Sequence, residues 1–317
     1  MSSYTKVPEL SLADYLATGT SESFSAELYE GLKHYGFIIL RDHGIPEELL
    51  DKAYALSEQF FSQSAEEKAR YYVKGEAYQR GYVPFGREHA KNNPYPDLKE
   101  MWHQGREPSA EHPYVADYPK NIWPDSPAEY ETVFKQLYTA LDAAGQQVLE
   151  ALTVGLGLHS NYFSDLASGG NSLLRVLHYP PLGEGVDPNC VRAAAHEDIN
   201  LITLLVAASS SGLELLDRDG SWLPVTGSQN AIIVDAGDML ARITNNVIPA
   251  TTHRVVNPKG PNTARYSMPF FLHPKSDAVL ECLDDCKDGN EQEPITADDF
   301  LTQRLHEIGF KSERAKS

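Results

Sequence analysis

The sequence predicts an α+β fold in which a mainly helical first half precedes a β-sandwich or jelly roll. Up to about residue 170, the regular stretches carry apolar residues at helical spacing, most clearly over 127–157. From about residue 172 the pattern changes to short runs rich in β-branched and apolar residues, which Gly, Asn, Asp and Pro separate. Many short strands with such punctuation are typical of sandwiches and jelly rolls.

The N-terminal third is predicted to contain helices and one strand. Residues 22–35 have apolar side chains at helical spacing and end before a glycine, and 37–41 is a short apolar run that indicates a buried strand. Pro46 suits a first helical position, and the two glutamates after it favour a helix start. Ser64 is predicted to cap a further helix, because Glu67 follows at capping-box spacing.

The remaining elements follow in chain order. Residues 75–105 lose periodicity and predict a long loop or irregular-strand region, a type that often carries substrate contacts. Residues 127–157 predict a long spine helix. The runs interpreted as strands are LLRVLHY, LITLLVA, GLELLD, WLPV, AIIVDAG, MLARIT, THRVV and RYSMPFFL. The tail predicts a helix over 296–308, where Thr296 and Asp299 fit a capping box.

Composition narrows the functional classes. The 317 residues carry a formal charge of −18, which repels nucleic-acid backbones and anionic membranes, so we expect neither as a partner. The N-terminus lacks the pattern of a signal peptide, and no run of about 18 apolar residues predicts a spanning helix. Three cysteines suit a reducing cytoplasm, and we interpret Cys282 and Cys286 as ordinary thiols rather than a metal or redox pair.

Three residues form a candidate metal site. His196 and Asp198 are two apart, so on an extended strand they share a face while Glu197 points away. If AIIVDAGDMLARIT forms two inner strands, the segment 252–256 can return alongside and bring His253 to them. Two imidazoles and one carboxylate form the facial set that holds non-haem Fe(II) with open positions. The alternative is that all three are ordinary polar residues.

A second signal lies twelve residues after His253. Arg265 and Ser267 share one face of the predicted strand RYSMPFFL, where an unpaired Arg would be costly to bury. A guanidinium fork beside a hydroxyl matches a carboxylate ligand. The alternative is an Arg paired with a structural Asp or Glu.

Taken in order, these motifs resemble the isopenicillin N synthase-like family of Fe(II)/2-oxoglutarate-dependent dioxygenases. The resemblance covers most of the chain. Its segments are VPELSLADYL, YGFIILRDHGIP, FFSQSAEEK, QRGYVPFGRE, HYPP, HEDINLITLL, THRVV and RYSMPFF. The resemblance implies a double-stranded β-helix core (jelly roll, cupin-like) flanked by helices. It also implies Fe(II), 2-oxoglutarate as cosubstrate, and O2.

The resemblance assigns roles to single residues. His196, Asp198 and His253 match the iron ligands. Arg265 and Ser267 match the pair that binds the distal carboxylate of 2-oxoglutarate.

Tyr179 matches a tyrosine that contacts the same cosubstrate. Leu177 stands where many plant members have Asn, which removes one polar contact near the metal-bound end of the cosubstrate. Glu197 replaces the usual Thr, with little expected effect on iron. The predicted organisation is an N-terminal helical and strand region of the non-haem dioxygenase type, spine helices, the oxygenase jelly roll, and a C-terminal strand and helix, over residues 1–120, 121–170, 171–275 and 276–317.

The implied reaction oxidises a small organic molecule by hydroxylation, desaturation or cyclisation, with release of succinate and CO2. Strand alternation and the resemblance select five candidates for the substrate pocket: Met101, His103, Arg175, Phe271 and His273. If they converge, the pocket is polar and partly cationic and suits a small carboxylated or phenolic substrate. Two alternatives stay open, a 2-oxoglutarate-independent Fe(II) oxidase of the same family and a non-catalytic jelly-roll binding protein. The oligomeric state is also open.

Overall fold

The computed structural model describes residues 6–18, 22–73, 79–91, 93–116, 118–159, 161–206, 208–227 and 230–307. Its helices are Leu12–Thr18 (α1), Glu22–Tyr35 (α2), Glu47–Phe61 (α3), Ala65–Ala69 (α4), Tyr130–Gly155 (α5), Tyr162–Ala167 (α6), Asp238–Ile243 (α7) and Ala297–Glu307 (α8). Its strands are Glu9–Ser11 (β1), Phe37–Arg41 (β2), Gly81–Val83 (β3), Glu100–Gly105 (β4), Leu173–Tyr179 (β5), Ala193–His196 (β6), Ile202–Val206 (β7), Leu213–Leu216 (β8), Trp222–Pro224 (β9), Ile232–Ala236 (β10), His253–Val255 (β11), Arg265–Leu272 (β12), Val279–Leu280 (β13) and Ile295–Thr296 (β14).

Two facing sheets form the jelly-roll core. The major sheet has eight strands in the order β1-β2-β10-β7-β12-β5-β4-β3, and the minor sheet has four in the order β6-β11-β8-β9. A short β13–β14 ribbon precedes α8. The predicted α+β jelly roll with a helical N-terminal region is therefore confirmed.

The two faces of the major sheet bury different cores. Alternate residues of its strands face outward and pack beneath α2, α3 and α5 in one large apolar cluster. Gly145 lets α5 approach β12, since a Cβ there would lie 2.4 Å from Leu272 Cδ1. The other residues of the same strands face the minor sheet and form a second, smaller cluster between the sheets. The candidate site residues lie on this inner side.

The local predictions in the N-terminal third mostly agree with the structure. The helix over 22–35 and the strand over 37–41 have these bounds, and Ser64 with Glu67 forms the full capping box. Pro46 is the N-cap of α3 rather than its first helical residue.

The long helix is confirmed as α5, which starts at Tyr130. The predicted tail helix is α8, and residue 308 of the predicted range lies outside the described residues. Among the described helices, none combines the length and apolar character needed to cross a bilayer.

One of the predicted strands is wrong. The run MLARIT is not a strand but lies in α7, where Met239, Leu240 and Ile243 are buried at helical spacing. A short apolar run is ambiguous between the two structures, because periodicity needs a longer window. Gly237 starts the helix against the preceding turn, since a Cβ there would lie 2.3 Å from the Asn200 carbonyl oxygen.

The region 75–105 is not only loop, since it holds β3 and the fully buried β4. Trp102 faces the outer cluster and Met101 the inner one, so both faces of β4 are covered. The alternation of polar and apolar residues that marks a half-buried strand is therefore absent from its sequence.

Candidate active site

The three predicted metal ligands converge where the minor sheet ends. His196 closes β6 and His253 opens β11, and the two residues are direct antiparallel partners. Asp198 lies just beyond β6, and its Oδ1 is 3.9 Å from Nε2 of each imidazole. The potential ligand atoms all lie within 4.8 Å of one another. His253 arrives on the minor sheet, not beside a second inner strand as the sequence suggested.

Backbone carbonyls orient both imidazoles. His196 Nδ1 donates to the Ala194 carbonyl at 2.7 Å, and His253 Nδ1 donates to the Thr251 carbonyl at 3.1 Å. Because a carbonyl only accepts, each ring carries a proton on Nδ1 and turns Nε2 towards Asp198. Burial, followed by the charge of His196, lowers the pKa of His253 to about 4. The imidazole is thus neutral near pH 7, the form that binds metals.

Two further groups interact with the Asp198 carboxylate. The Thr203 hydroxyl donates to Asp198 Oδ2 and leaves Oδ1 facing the imidazoles. Burial raises the pKa of Asp198, but His253, His196, the Thr203 hydrogen bond and Arg175 together outweigh burial and keep this pKa below its usual value. Burial and the charge of Asp198 raise the pKa of Asp235 well above its usual value. Burial and Asp198 thus favour the protonated form of Asp235, which can donate a hydrogen bond to Asp198. Sequence reasoning missed it, although an acid inside the apolar run AIIVDAG was a signal.

This donor set fits Fe(II). Two neutral imidazoles and one carboxylate are the ligands of a facial triad, and they leave room for further ligands. Among the described residues, no fourth His, Cys or carboxylate joins the group. A structural zinc site usually closes with four protein ligands, so the described chain does not offer one here.

The predicted carboxylate-binding residues lie together on the inner face of the major sheet. Arg265 on β12 is the direct partner of Tyr179 on β5, and its guanidinium carbon is 5.1 Å from the Tyr179 ring centre. Both side chains, and that of Ser267, are at most 1% exposed. Arg265 Nε donates to the Ser210 carbonyl at 3.2 Å, whereas its Nη1 is buried without a hydrogen-bond partner. The sequence also allowed an ion pair between Arg265 and a structural Asp or Glu. No carboxylate of the described residues forms one.

A cavity of about 310 Å³ opens beside the candidate metal site. Four of the five predicted pocket residues line it: His103, Arg175, Phe271 and His273. Met101 is not in this lining, and its side chain packs between the two sheets. Burial lowers the pKa of His273 to about 4, so its imidazole is neutral.

Acidic residues neutralise the cations on one side of this cavity. Arg175 Nε lies 2.7 Å from His103 Nε2, and Arg175 Nη1 lies 3.4 Å from Glu88 Oε1. Lys99 pairs with Glu88 at 2.7 Å and with Asp97 at 2.9 Å. Burial raises the pKa of Glu88, but Arg175 and Lys99 outweigh burial and hold it well below its usual range. The pocket is thus polar, but the charge of Arg175 is compensated.

The C-terminal helix completes the cavity. Leu301, Arg304 and Leu305 of α8 lie in its wall, and Arg304 pairs at 2.6 Å with Asp238 at the start of α7. Neither the acidic partner Glu88 nor the helix wall was among the sequence candidates. Both depend on contacts between segments far apart in the chain, which local patterns do not encode.

Comparisons with known proteins identify the family to which the chain is similar. Two family models match the chain, the N-terminal model of "non-haem dioxygenase in morphine synthesis" over 7–126 and the "2OG-Fe(II) oxygenase superfamily" over 170–274. The 2-oxoglutarate-Fe(II) type oxidoreductase hxnY of Emericella nidulans is 32% identical over 299 residues, covering 89% of this chain and 85% of that protein. The proline hydroxylase buaE of Petromyces alliaceus is 30% identical and covers 95% of this chain and 98% of that protein.

Solved structures show the same similarity. A 2OG-Fe(II) oxygenase family protein from Caulobacter crescentus has 40% identity and a TM-score of 0.86, with coverage of 96% of this chain and all (100%) of that one. A Neurospora crassa protein solved with alpha-KG and thymine has 28% identity and a TM-score of 0.84, covering 95% and 96% of the two chains.

Proposed function

Since the chain belongs to the 2OG-Fe(II) oxygenase superfamily, we propose that His196, Asp198 and His253 hold its catalytic iron. The protein is an oxidoreductase that uses Fe(II), 2-oxoglutarate and O2 to oxidise a small organic molecule. One observation carries the ligand assignment. Two imidazoles, each fixed by a backbone carbonyl, present Nε2 to the same carboxylate oxygen.

The chain's own residues bind and orient the reactants. When bound, the iron and 2-oxoglutarate supply the oxidising chemistry, with succinate and CO2 as coproducts. The Arg265 guanidinium, with the Ser267 hydroxyl beside it, binds the distal carboxylate of the cosubstrate, and Tyr179 packs against that end. Support comes from the buried, unpartnered Nη1 of Arg265, because a buried cationic donor requires an anion.

The substrate site is the cavity lined by His103, Arg175, Phe271 and His273. Because Glu88 compensates the charge of Arg175, we favour a small phenol or another neutral polar ring over a free carboxylate. The cavity volume of about 310 Å³ suits a molecule of that size. The Neurospora crassa protein solved with thymine, a small polar ring, agrees with this choice. Hydroxylation, desaturation and cyclisation are all compatible with such a site.

The cysteines and the net charge indicate the cellular compartment and the class of substrate. We propose that the enzyme works in a reducing cytoplasm, because its three cysteines are all unpaired. Its charge of −18 favours small-molecule substrates over nucleic acid or an anionic membrane.

A screen of succinate release tests the proposal. Purified protein with Fe(II), 2-oxoglutarate and O2 is given phenols, neutral heterocycles and small carboxylates, and succinate is measured per substrate consumed. We expect one succinate per oxidised substrate. His196→Ala and Asp198→Ala should abolish turnover and Fe(II) binding, whereas His159→Ala, which alters an exposed imidazole, should leave both unchanged. Substrate oxidation without succinate would instead indicate a 2-oxoglutarate-independent oxidase.

A further inference from the structure

A second buried guanidinium lies beside Arg265. Arg192 immediately precedes β6 and is 2% exposed. Its Nη2 donates to the Thr263 carbonyl at 2.6 Å, while its Nε is buried without a hydrogen-bond partner. Its guanidinium carbon lies 6.0 Å from the ring centre of Tyr179, the ring that Arg265 also approaches. The two arginines therefore flank one aromatic ring on the inner side of the jelly roll.

No anion of the described part of the chain compensates the charges of these two arginines. Burial and the positive charge of Arg265 lower the pKa of Arg192, and only Tyr179 opposes them. Among the described residues, no carboxylate forms an ion pair with either side chain. Two buried like charges with free donors are unfavourable unless an anion joins them. In contrast, the largely buried Arg106 forms an ion pair with Asp142 at 2.9 Å.

We propose that Arg192 and Arg265 together bind the distal carboxylate of 2-oxoglutarate. A carboxylate can accept about four hydrogen bonds, so it can take donors from two guanidiniums. The free Nε of Arg192 and the free Nη1 of Arg265 are the donors that this ligand would satisfy. The inference rests on the proposed use of 2-oxoglutarate and adds a second anchoring cation to the Arg265 and Ser267 pair.

The competing role for Arg192 is structural. Its bond to the Thr263 carbonyl ties the start of β6 to the segment before β12. Loss of this hydrogen bond would displace Arg265 and weaken the binding of any ligand at the site. A ligand that lacks the distal carboxylate separates the two roles, because only direct binding depends on that group.

The test measures binding rather than turnover. Isothermal titration calorimetry without O2, on protein loaded with Mn(II), compares 2-oxoglutarate with 2-oxopentanoate, which lacks the distal carboxylate. We expect Arg192→Met to weaken 2-oxoglutarate binding roughly tenfold to hundredfold. Its affinity for 2-oxopentanoate should change less than about threefold. Arg106→Met, the control for an arginine that is already paired, should leave the ratio of the two affinities unchanged.

The outcomes separate a failure of the Arg192 inference from a failure of the cosubstrate assignment. Equal weakening of both ligands by Arg192→Met, or no weakening of either, would overturn the inference while the cosubstrate assignment stands. A parent protein that binds both keto acids equally would instead refute the use of 2-oxoglutarate. If Arg192→Met does not fold, Arg192→Lys keeps the charge without the planar fork. An affinity ratio for Arg192→Lys equal to that of the parent would then overturn the inference.

Discussion

Replacing Thr203 by valine tests how the carboxylate ligand is held. Thr203 is 2% exposed, and its hydroxyl donates to Asp198 Oδ2 while accepting from Asn200 Nδ2 at 3.0 Å. Valine keeps the shape of the side chain and removes both hydrogen bonds. Asp198 would then keep Asp235 as its neighbour but lose the donor that directs Oδ1 towards the imidazoles.

The expected effect on metal binding exceeds the effect on folding. Loss of a group that orients a metal ligand typically weakens metal affinity about tenfold to hundredfold. This corresponds to ~1.4–2.8 kcal/mol of binding free energy. The free energy of unfolding should fall by about 1–2 kcal/mol. Asn200 Nδ2 limits this loss, because it still donates to the Ile202 carbonyl at 3.0 Å.

Titration of metal-free protein with Mn(II), together with urea unfolding, measures both quantities. Thr153→Val is the matched control, because Thr153 is fully buried and its hydroxyl donates to the Leu149 carbonyl within α5. We expect Thr153→Val to lower stability slightly and to leave the Mn(II) affinity unchanged. Equal Mn(II) affinities for Thr203→Val and the parent, with both folded, would refute the orienting role of Thr203.

Three further predictions concern charge. Glu88→Gln should raise the affinity for acidic ligands relative to neutral ligands by on the order of tenfold, because Arg175 loses its anion. Calorimetry measures both affinities, and an unchanged ratio would contradict this prediction. Burial depresses the folded-state pKa of His273 from 6.5 to about 4. Between these two pH values the unfolded chain binds more protons than the folded chain, so stability falls as the pH falls. Between pH 7 and pH 5 the metal-free parent should therefore lose about 2 kcal/mol more than His273→Gln in urea unfolding, and equal losses would exclude this linkage. Lys68→Met should cost roughly 3–5 kcal/mol of unfolding free energy, since it leaves Glu100 buried without its cation; a loss below about 1 kcal/mol would contradict this.

The parts of the fold that the sequence predicted are those with local signals. The capping box at Ser64 and the helical spacing of α5 depend on residues within a few positions of each other. The strand β4 was missed because both of its faces are buried. The helix α7 was taken for a strand because a six-residue apolar run fits either structure.

The difference between local and long-range signals also explains which site residues the sequence predicted. His196 and Asp198 are two residues apart, so their spacing carried the metal signal. Arg192 has no such pattern, and only the folded chain brings it to Tyr179.

The chemistry of the two binding regions depends on which cations have a protein anion. Strand alternation placed Arg175 towards the cavity, but it did not predict the ion pair with Glu88 that compensates its charge. Arg265 and Arg192 show the opposite arrangement, two buried cations with free donors and no carboxylate from the described chain. The uncompensated region favours a dicarboxylate, whereas the compensated region does not attract one. On the proposed assignments, this difference directs 2-oxoglutarate to the arginine pair and leaves the cavity to the other reactant.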